Sequence, residues 1–332
     1  MKVSRGIEMI NVGIIGSGFI VRPFIESIKA VKGYKCRAIC ARNIEKLKAL
    51  KEEYNMDYYS TDVEELFNDP KIDVIYLAVP NNIHYSLCKR ALLANKHVIV
   101  EKPFTPTYAQ AKQLINLAYK KNLIVFDAVT LIHNPNYLKI KELINDIGEI
   151  KMVTCNFSQY SSRYDSFKKG IILPVFDYKQ AGGALMDLGI YNINLIVGLF
   201  NEPKKVNYYP NIKRKIDTSG LLVMDYGKFK VSSIAAKDCK APSGFCIEGD
   251  LAHIKSDYPC NVLRDIYYVD NKGNSKHYDL NHNQLTHYDE FKEFKRLYKE
   301  KDLKKAREYN KLTLKTIRVL EKAIKSGKII FN

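Results

Sequence analysis

The chain has 332 residues, enough for two domains or one large one, with an ordinary globular balance of 46% hydrophobic and 27% charged residues. Its seven cysteines are odd in number and contain no CxxC pair. That excludes a disulfide framework and a zinc site and predicts a reducing, cytoplasmic setting with no metal. The net charge of +17 raises nucleic acid as a partner, but the lysines are spread evenly, with no dense basic block and no interleaved aromatic motif. No nucleic-acid partner is therefore expected, and anionic small molecules such as phosphates or sugar nucleotides fit the charge equally well. No apolar run is read as long enough to span a membrane, and the start of the chain lacks an apolar signal core. Met9 directly precedes Ile10, so residues 1–8 are expected to be a disordered leader or the product of an upstream start codon.

Ile10 to Ile15 reads as a buried strand that runs into Gly16-Ser17-Gly18-Phe19-Ile20-Val21. A Gly-x-Gly after a strand permits a tight turn and lets backbone N–H groups approach a pyrophosphate at a helix N-terminus. Val21 stands where a third small residue is usual, and Pro23 must fall in the first turn of the helix that follows. A second strand, Lys35 to Ala41, ends at Arg42 rather than at an acidic residue, which favours NADP over NAD, with a surface role or adenine stacking as alternatives. Asn43 is the expected N-cap of the next helix, and Thr61 to Glu64 reads as a capping box. Asp73 to Val79 is a continuous apolar strand, followed by Pro80-Asn81-Asn82-Ile83-His84 and a helix to Ala94. A strand from His97 to Val100 precedes Glu101-Lys102-Pro103; a helix, Tyr108 to Tyr119, and a strand, Leu123 to Phe126, close the run. This alternation predicts a doubly wound parallel sheet, a Rossmann domain over residues 1–126.

Residues 127–332 read as an α+β domain with an open, mainly antiparallel sheet. Its strands are expected over Ile150–Tyr160, Gly220–Asp225, Lys228–Ala235, Phe245–Ile247 and Asp265–Val269, with a hairpin at Tyr226-Gly227 and a turn at Asn271-Lys272-Gly273. Asp289–Leu297 and Tyr309–Ile324 read as amphipathic helices. Gly182 to Asn194 reads as a helix apolar on nearly every side, interrupted by Asp187, Tyr191 and Asn194 at offsets of four and three. That spacing stacks the three on one face. Buried polar groups need partners, so this face is expected to look into a polar cavity.

Gly13-Ile14-Ile15-Gly16-Ser17-Gly18, Pro80 to His84, Glu101-Lys102-Pro103 and Gly182 to Tyr191, in this order and at suitable spacing, give the chain a resemblance to the glucose–fructose oxidoreductase / inositol dehydrogenase (Gfo/Idh/MocA) family across nearly its whole length. Tyr191 stands where the family pattern often has His and resembles the glucose–fructose oxidoreductase and dihydrodiol dehydrogenase branch. Val21 and Asp127 stand where Ala and Glu are commoner. The resemblance implies a cofactor site of Gly16, Ser17, Gly18, Phe19, Ile20, Arg42, Pro80, Asn81, His84, Glu101, Lys102 and Asp127, with Glu101 and Asp127 orienting the nicotinamide ribose or Lys102. His84 has capping or packing as its alternative. It also implies a cis Lys102–Pro103 bond and a homo-oligomer, dimer or tetramer, built on the open sheet.

Removing a proton and a hydride from a secondary alcohol needs a base of suitable pKa. A phenol at about 10 is a poor one unless an ammonium lowers it. The expected set is Tyr191 as acid/base, Lys102 as its electrostatic partner across a cleft and donor to the substrate hydroxyl, and Asp187 as orienter, with the sequence leaving open which of Lys102 and Tyr191 passes the proton. His133, Arg163, Tyr164 and Asn194 are further candidates for substrate contact. The implied activity is NADP-dependent oxidoreduction (NAD is the lesser candidate) of a sugar, sugar derivative or polyol, against a non-catalytic nucleotide sensor on the same fold.

Overall fold

A computed structural model describes residues 9–281 and 285–331, so the expectation for residues 1–8 lies outside the described residues. The first part of the chain runs β1 (Ile10–Ile15), α1 (Val21–Val31), β2 (Tyr34–Cys40), α2 (Ile44–Glu53), β3 (Tyr58–Ser60), α3 (Val63–Asn68), β4 (Val74–Leu77), α4 (His84–Leu93), β5 (His97–Glu101), α5 (Tyr108–Lys121) and β6 (Val125–Ala128). Then follow α6 (Pro135–Leu143), β7 (Ile150–Ser158), α7 (Tyr164–Lys168), α8 (Ile190–Phe200), β8 (Lys205–Lys213), β9 (Ile216–Asp225), β10 (Lys230–Ala236), β11 (Gly244–Gly249), β12 (Ala252–Ser256), β13 (Ile266–Asp270), β14 (Ser275–Tyr278), α9 (Tyr288–Glu300) and α10 (Leu303–Ser326).

Two compact units result. The first comprises residues 9–105, 109–128 and 285–311. Its six strands are all parallel, in the order β3-β2-β1-β4-β5-β6. This is the doubly wound arrangement, with strand order reversing at β1 and β4. The four residues of β4 are all buried, as an apolar strand covered on both faces must be. Asn43 caps α2, its side-chain oxygen accepting from the Lys46 N–H at 2.9 Å. At α3 the cap is Asp62, which accepts from the Glu64 N–H at 3.0 Å, and not the expected Thr61. An Asp one residue later satisfies the same orphan amides.

The division differs from a boundary at 126/127 at residues 106–108, at residues 127–128 and, most extensively, at residues 285–311, which belong to the first unit. The cause is the apolar face of α9. Phe291, Phe294 and Leu297 are fully buried in the core around β1 and α1. The Phe24 ring stacks on Tyr76 at 3.6 Å and meets Phe291 edge-on at 4.9 Å.

The second unit comprises residues 106–108, 129–281 and 312–331. Its eight strands are ordered β14-β13-β12-β11-β7-β10-β9-β8 and pair antiparallel except for the parallel pair β7–β10. The Tyr226-Gly227 hairpin forms as expected, while β8, β12, β14 and α6 were not foreseen. Met224, Val231, Val153, Ile247 and Ile254 point to the buried face. Tyr209, Leu221 and Ile234 lie in register on the other face, 61%, 36% and 39% exposed. One expectation is corrected: the helical run Tyr178–Phe200, 23 residues with mean hydropathy 1.5, is long and apolar enough to cross a membrane. It is a core element here, since 72% of its most apolar window is buried inside the protein.

Candidate active site

In the first unit the turn after β1 depends on two glycines for different reasons. Gly16 has φ +120° and donates its N–H to the Cys40 carbonyl at 2.8 Å. A Cβ there would lie 2.0 Å from the Ala78 carbonyl oxygen, so the backbone admits no side chain. At Gly18 a Cβ would meet nothing within 4 Å, so the turn is open on that side. Ser17 and Ile20 are half-buried, and Phe19 beside them is 81% exposed. No side chain caps α1; the Val21 N–H donates to the Gly18 carbonyl at 3.2 Å and Pro23 carries no N–H, so within the first turn the Arg22 N–H is the amide left for an anion. Val21 is fully buried in the core, which is why a larger residue is accepted there, and Pro23 falls in the first turn of α1, where its missing N–H costs nothing. Arg42, just past β2, is exposed and makes no hydrogen bond or ion pair among the described residues. A tight glycine turn, a helix start with no side-chain cap and an uncommitted guanidinium fit a dinucleotide that carries an extra phosphate.

Pro80 and Asn81 follow β4, Glu101 and Lys102 end β5, and Asp127 lies in β6. Together with the Gly16 turn and Arg42 they form a row along the C-terminal ends of neighbouring parallel strands, the edge where such sheets bind ligands. The Lys102–Pro103 bond is cis, and Lys102 is half-buried. Glu101 is 7% exposed; its carboxylate accepts from the Tyr76 hydroxyl at 2.6 Å and from the Lys102 N–H at 3.3 Å. His84 is corrected from cofactor contact to structural clamp. It is fully buried, and its ring nitrogens lie 2.9 Å from the Val79 carbonyl oxygen and 3.0 Å from that of Pro103. Burial lowers its pKa, so the ring is neutral and has no free edge for a ligand.

Sequence reasoning missed two groups behind this edge. Glu290 on α9 is fully buried; its Oε2 lies 3.3 Å from Nδ1 of His287, and its Oε1 has no hydrogen-bond partner. Burial, with the Glu101 charge adding to it, holds the Glu290 acid well above the usual carboxylate range. Burial holds His287 below its ordinary value, so both groups are pushed toward their neutral forms.

In the second unit the Gly182-Gly183 pair exists because other atoms fill the places of its side chains. A Cβ on Gly182 would lie 2.6 Å from the Val175 carbonyl oxygen, and one on Gly183 would lie 1.9 Å from Oδ1 of Asp217. Leu185–Gly189 then forms one wide π turn before α8 begins. The register at Asp187 is set by that turn and not by α-helical spacing, and such turns recur at functional sites. Asp187 is ion-paired with Lys237, which follows β10; the Lys237 side chain is 5% exposed and that of Asp187 32%. Tyr191 is half-buried, its ring 6.0 Å from that of Phe157.

Two substrate candidates are corrected. Asn194 is 2% exposed and donates to the Ile190 carbonyl of its own helix at 3.0 Å, so it presents nothing to a cavity. Tyr164 is a core aromatic, with its ring 5.9 Å from Phe167 and 5.7 Å from Phe176. Arg163 is exposed at the start of α7, and His133 is half-buried at the end of a short 3-10 turn. Lys237 was not foreseen, and no local pattern marks it.

The oxidoreductase family model with an NAD-binding Rossmann fold matches residues 10–128, and the GFO/IDH/MocA C-terminal domain model matches residues 137–248. The chain is 28% identical over 326 residues to scyllo-inositol 2-dehydrogenase (NADP(+)) IolU of Bacillus subtilis (strain 168), covering 97% of this chain and 98% of that one. It is 30% identical over 225 residues to the uncharacterized oxidoreductase YgjR of Escherichia coli (strain K12), covering 68% and 69%. Among solved structures it shares the fold of KijD10, a 3-ketoreductase from Actinomadura kijaniata in complex with NADP and TDP-benzene, with a TM-score of 0.84 at 17% identity over 96% of this chain and 98% of that one. Sequence along the full chain, the nucleotide turn and both sheets thus agree: the protein belongs to the GFO/IDH/MocA family of oxidoreductases.

Proposed function

We propose that the protein is an NADP-dependent oxidoreductase that interconverts a secondary alcohol and a ketone on a sugar, sugar derivative or polyol. The observation that carries the reading is the open Gly16-Ser17-Gly18 turn with the uncommitted Arg42 on the adjoining strand end. The IolU relative, named as an NADP(+)-dependent inositol dehydrogenase, supports both the cofactor and the polyol class. The Gly16-Ser17-Gly18 turn and the start of α1 hold the pyrophosphate, Arg42 the 2′-phosphate, and Glu101 and Asp127 orient the nicotinamide end. When bound, the nicotinamide supplies the hydride acceptor or donor.

The chain itself must move the proton. Tyr191 gives or takes it at its phenolic oxygen, and Lys102 lowers the cost of the phenolate. The reading requires both to meet the same substrate hydroxyl. Asp187 orients Tyr191. A bare carboxylate there would oppose a phenolate, and the ion pair with Lys237 offsets that charge. The exposed row Tyr209, Leu221 and Ile234 supports a homo-oligomer paired on the open sheet, and the seven free thiols support a cytoplasmic setting.

The test is calorimetric titration with NADP and with NAD, followed by turnover on scyllo-inositol and a panel of sugars. The chain contains no tryptophan, so indole quenching offers no substitute. NADP binding at least ten times tighter than NAD, narrowed by Arg42→Ala, is the expected result. Equal affinity for both would overturn the role of Arg42, and no binding of either would overturn the whole reading.

A further inference from the structure

Asp217 is the second residue of β9 and is fully buried. Its Oδ2 accepts from the Leu185 N–H at 2.7 Å and from the Tyr208 hydroxyl at 2.8 Å. Its Oδ1 has no hydrogen-bond partner and occupies the space a Gly183 side chain would fill. The carboxylate therefore sits at the N-terminal end of the helical run that carries Asp187 and Tyr191, two and six residues beyond Leu185. As an anion it satisfies an orphan amide and complements the helix dipole. A protonated acid would have to place a hydroxyl in the same volume. Oδ1, which has no hydrogen-bond partner, is packed against the side-chain face of Gly183.

We propose that Asp217 is a positioning residue for Asp187 and Tyr191: its carboxylate pins the start of their helical run, and protonation releases the pin. The inference rests on the reading of Tyr191 as acid/base. Burial raises the Asp217 acid to about 7 although the backbone N–H groups of Leu185, Ala184 and Asp217 itself and the Tyr208 hydroxyl pull it down, so the change falls near neutral pH. The titratable groups around it are Tyr208 on β8, Asp187 on the pinned run, and Lys237 and Asp238 beyond β10. Lys237 is committed to Asp187, and Asp238 accepts from the Thr218 and Ser219 hydroxyls at 2.7 and 3.0 Å. Burial and the Asp217 charge hold the Tyr208 phenol above its ordinary value, so it stays a donor throughout.

The experiment is hydrogen–deuterium exchange of the intact protein from pH 5.5 to 8.5, with rates corrected for the intrinsic pH dependence. In the wild type, protection over residues 185–191 rises about tenfold as pH passes through 7. In Asp217→Asn, which is always neutral, it stays flat. Tyr208→Phe removes one donor to the anion and moves the step to higher pH, and it serves where the Asn variant folds poorly. No step in the wild type overturns the inference. A step present while Tyr191→Phe leaves scyllo-inositol turnover intact would instead overturn the acid/base reading, so the two failures are separable.

Discussion

In the first unit Gly16, Arg42, Pro80 and Glu101 reach one edge because four strands run the same way and each ends there. In the second unit strand direction does little of this. Asp187 and Tyr191 sit on a helical run that is fixed from outside, by Asp217 at its start and Lys237 at its middle, from 32 and 50 residues further along the chain. A parallel sheet collects ligand-binding groups through its topology, so each tolerates change on its own. A single helix over an antiparallel sheet must be held in place by specific buried polar contacts, so its geometry stands or falls with them.

That contrast can be tested. The largest effect is expected from the proposed reacting groups: Lys102→Met and Tyr191→Phe should each lower kcat by roughly 10²- to 10⁴-fold while nucleotide affinity changes little, as steady-state rates and titration would report. A comparable loss of nucleotide binding would place Lys102 with the cradle alone. Next comes the pin in the second unit. Lys237→Met leaves the Asp187 carboxylate without its cation; with that side chain a third exposed, the cost in urea unfolding should be about 1–2 kcal/mol. A neutral result would mean that Asp187 relaxes to solvent and that the second unit is as tolerant as the first.

The smallest effect concerns the buried acid of the first unit. Glu290 is raised above an unfolded value of about 4.3, so its contribution to stability is complete below about pH 4.3 and is lost as pH rises through the folded pKa. Glu290→Gln abolishes that loss. Thermal unfolding from pH 5 to 8 should show the variant gaining on the wild type as pH rises. Parallel curves would mean that Glu290 ionises normally despite its burial.

Legibility from sequence follows the same division. The Gly16 turn, the β4 run and the Asn43 cap are patterns contained within a few consecutive residues. The apolar face of α9 was equally legible as a face. That it covers Phe24 and Tyr76, from the other end of the chain, was not. Lys237 is one of many lysines in a basic chain and becomes distinctive only when β10 carries it to Asp187. The π turn at Leu185–Gly189 has no periodic signature, and the burial of Asn194 and Tyr164 is decided by packing rather than composition.

The clamp at His84 has one more consequence. Both of its neighbours are carbonyl oxygens, yet a neutral imidazole carries a single N–H. Only one of the two can be held at a time. Each tautomer secures either the end of the segment after β4 or the turn after Lys102 and leaves the other against a lone pair. The ring thus divides one donor between two loops of the nucleotide edge.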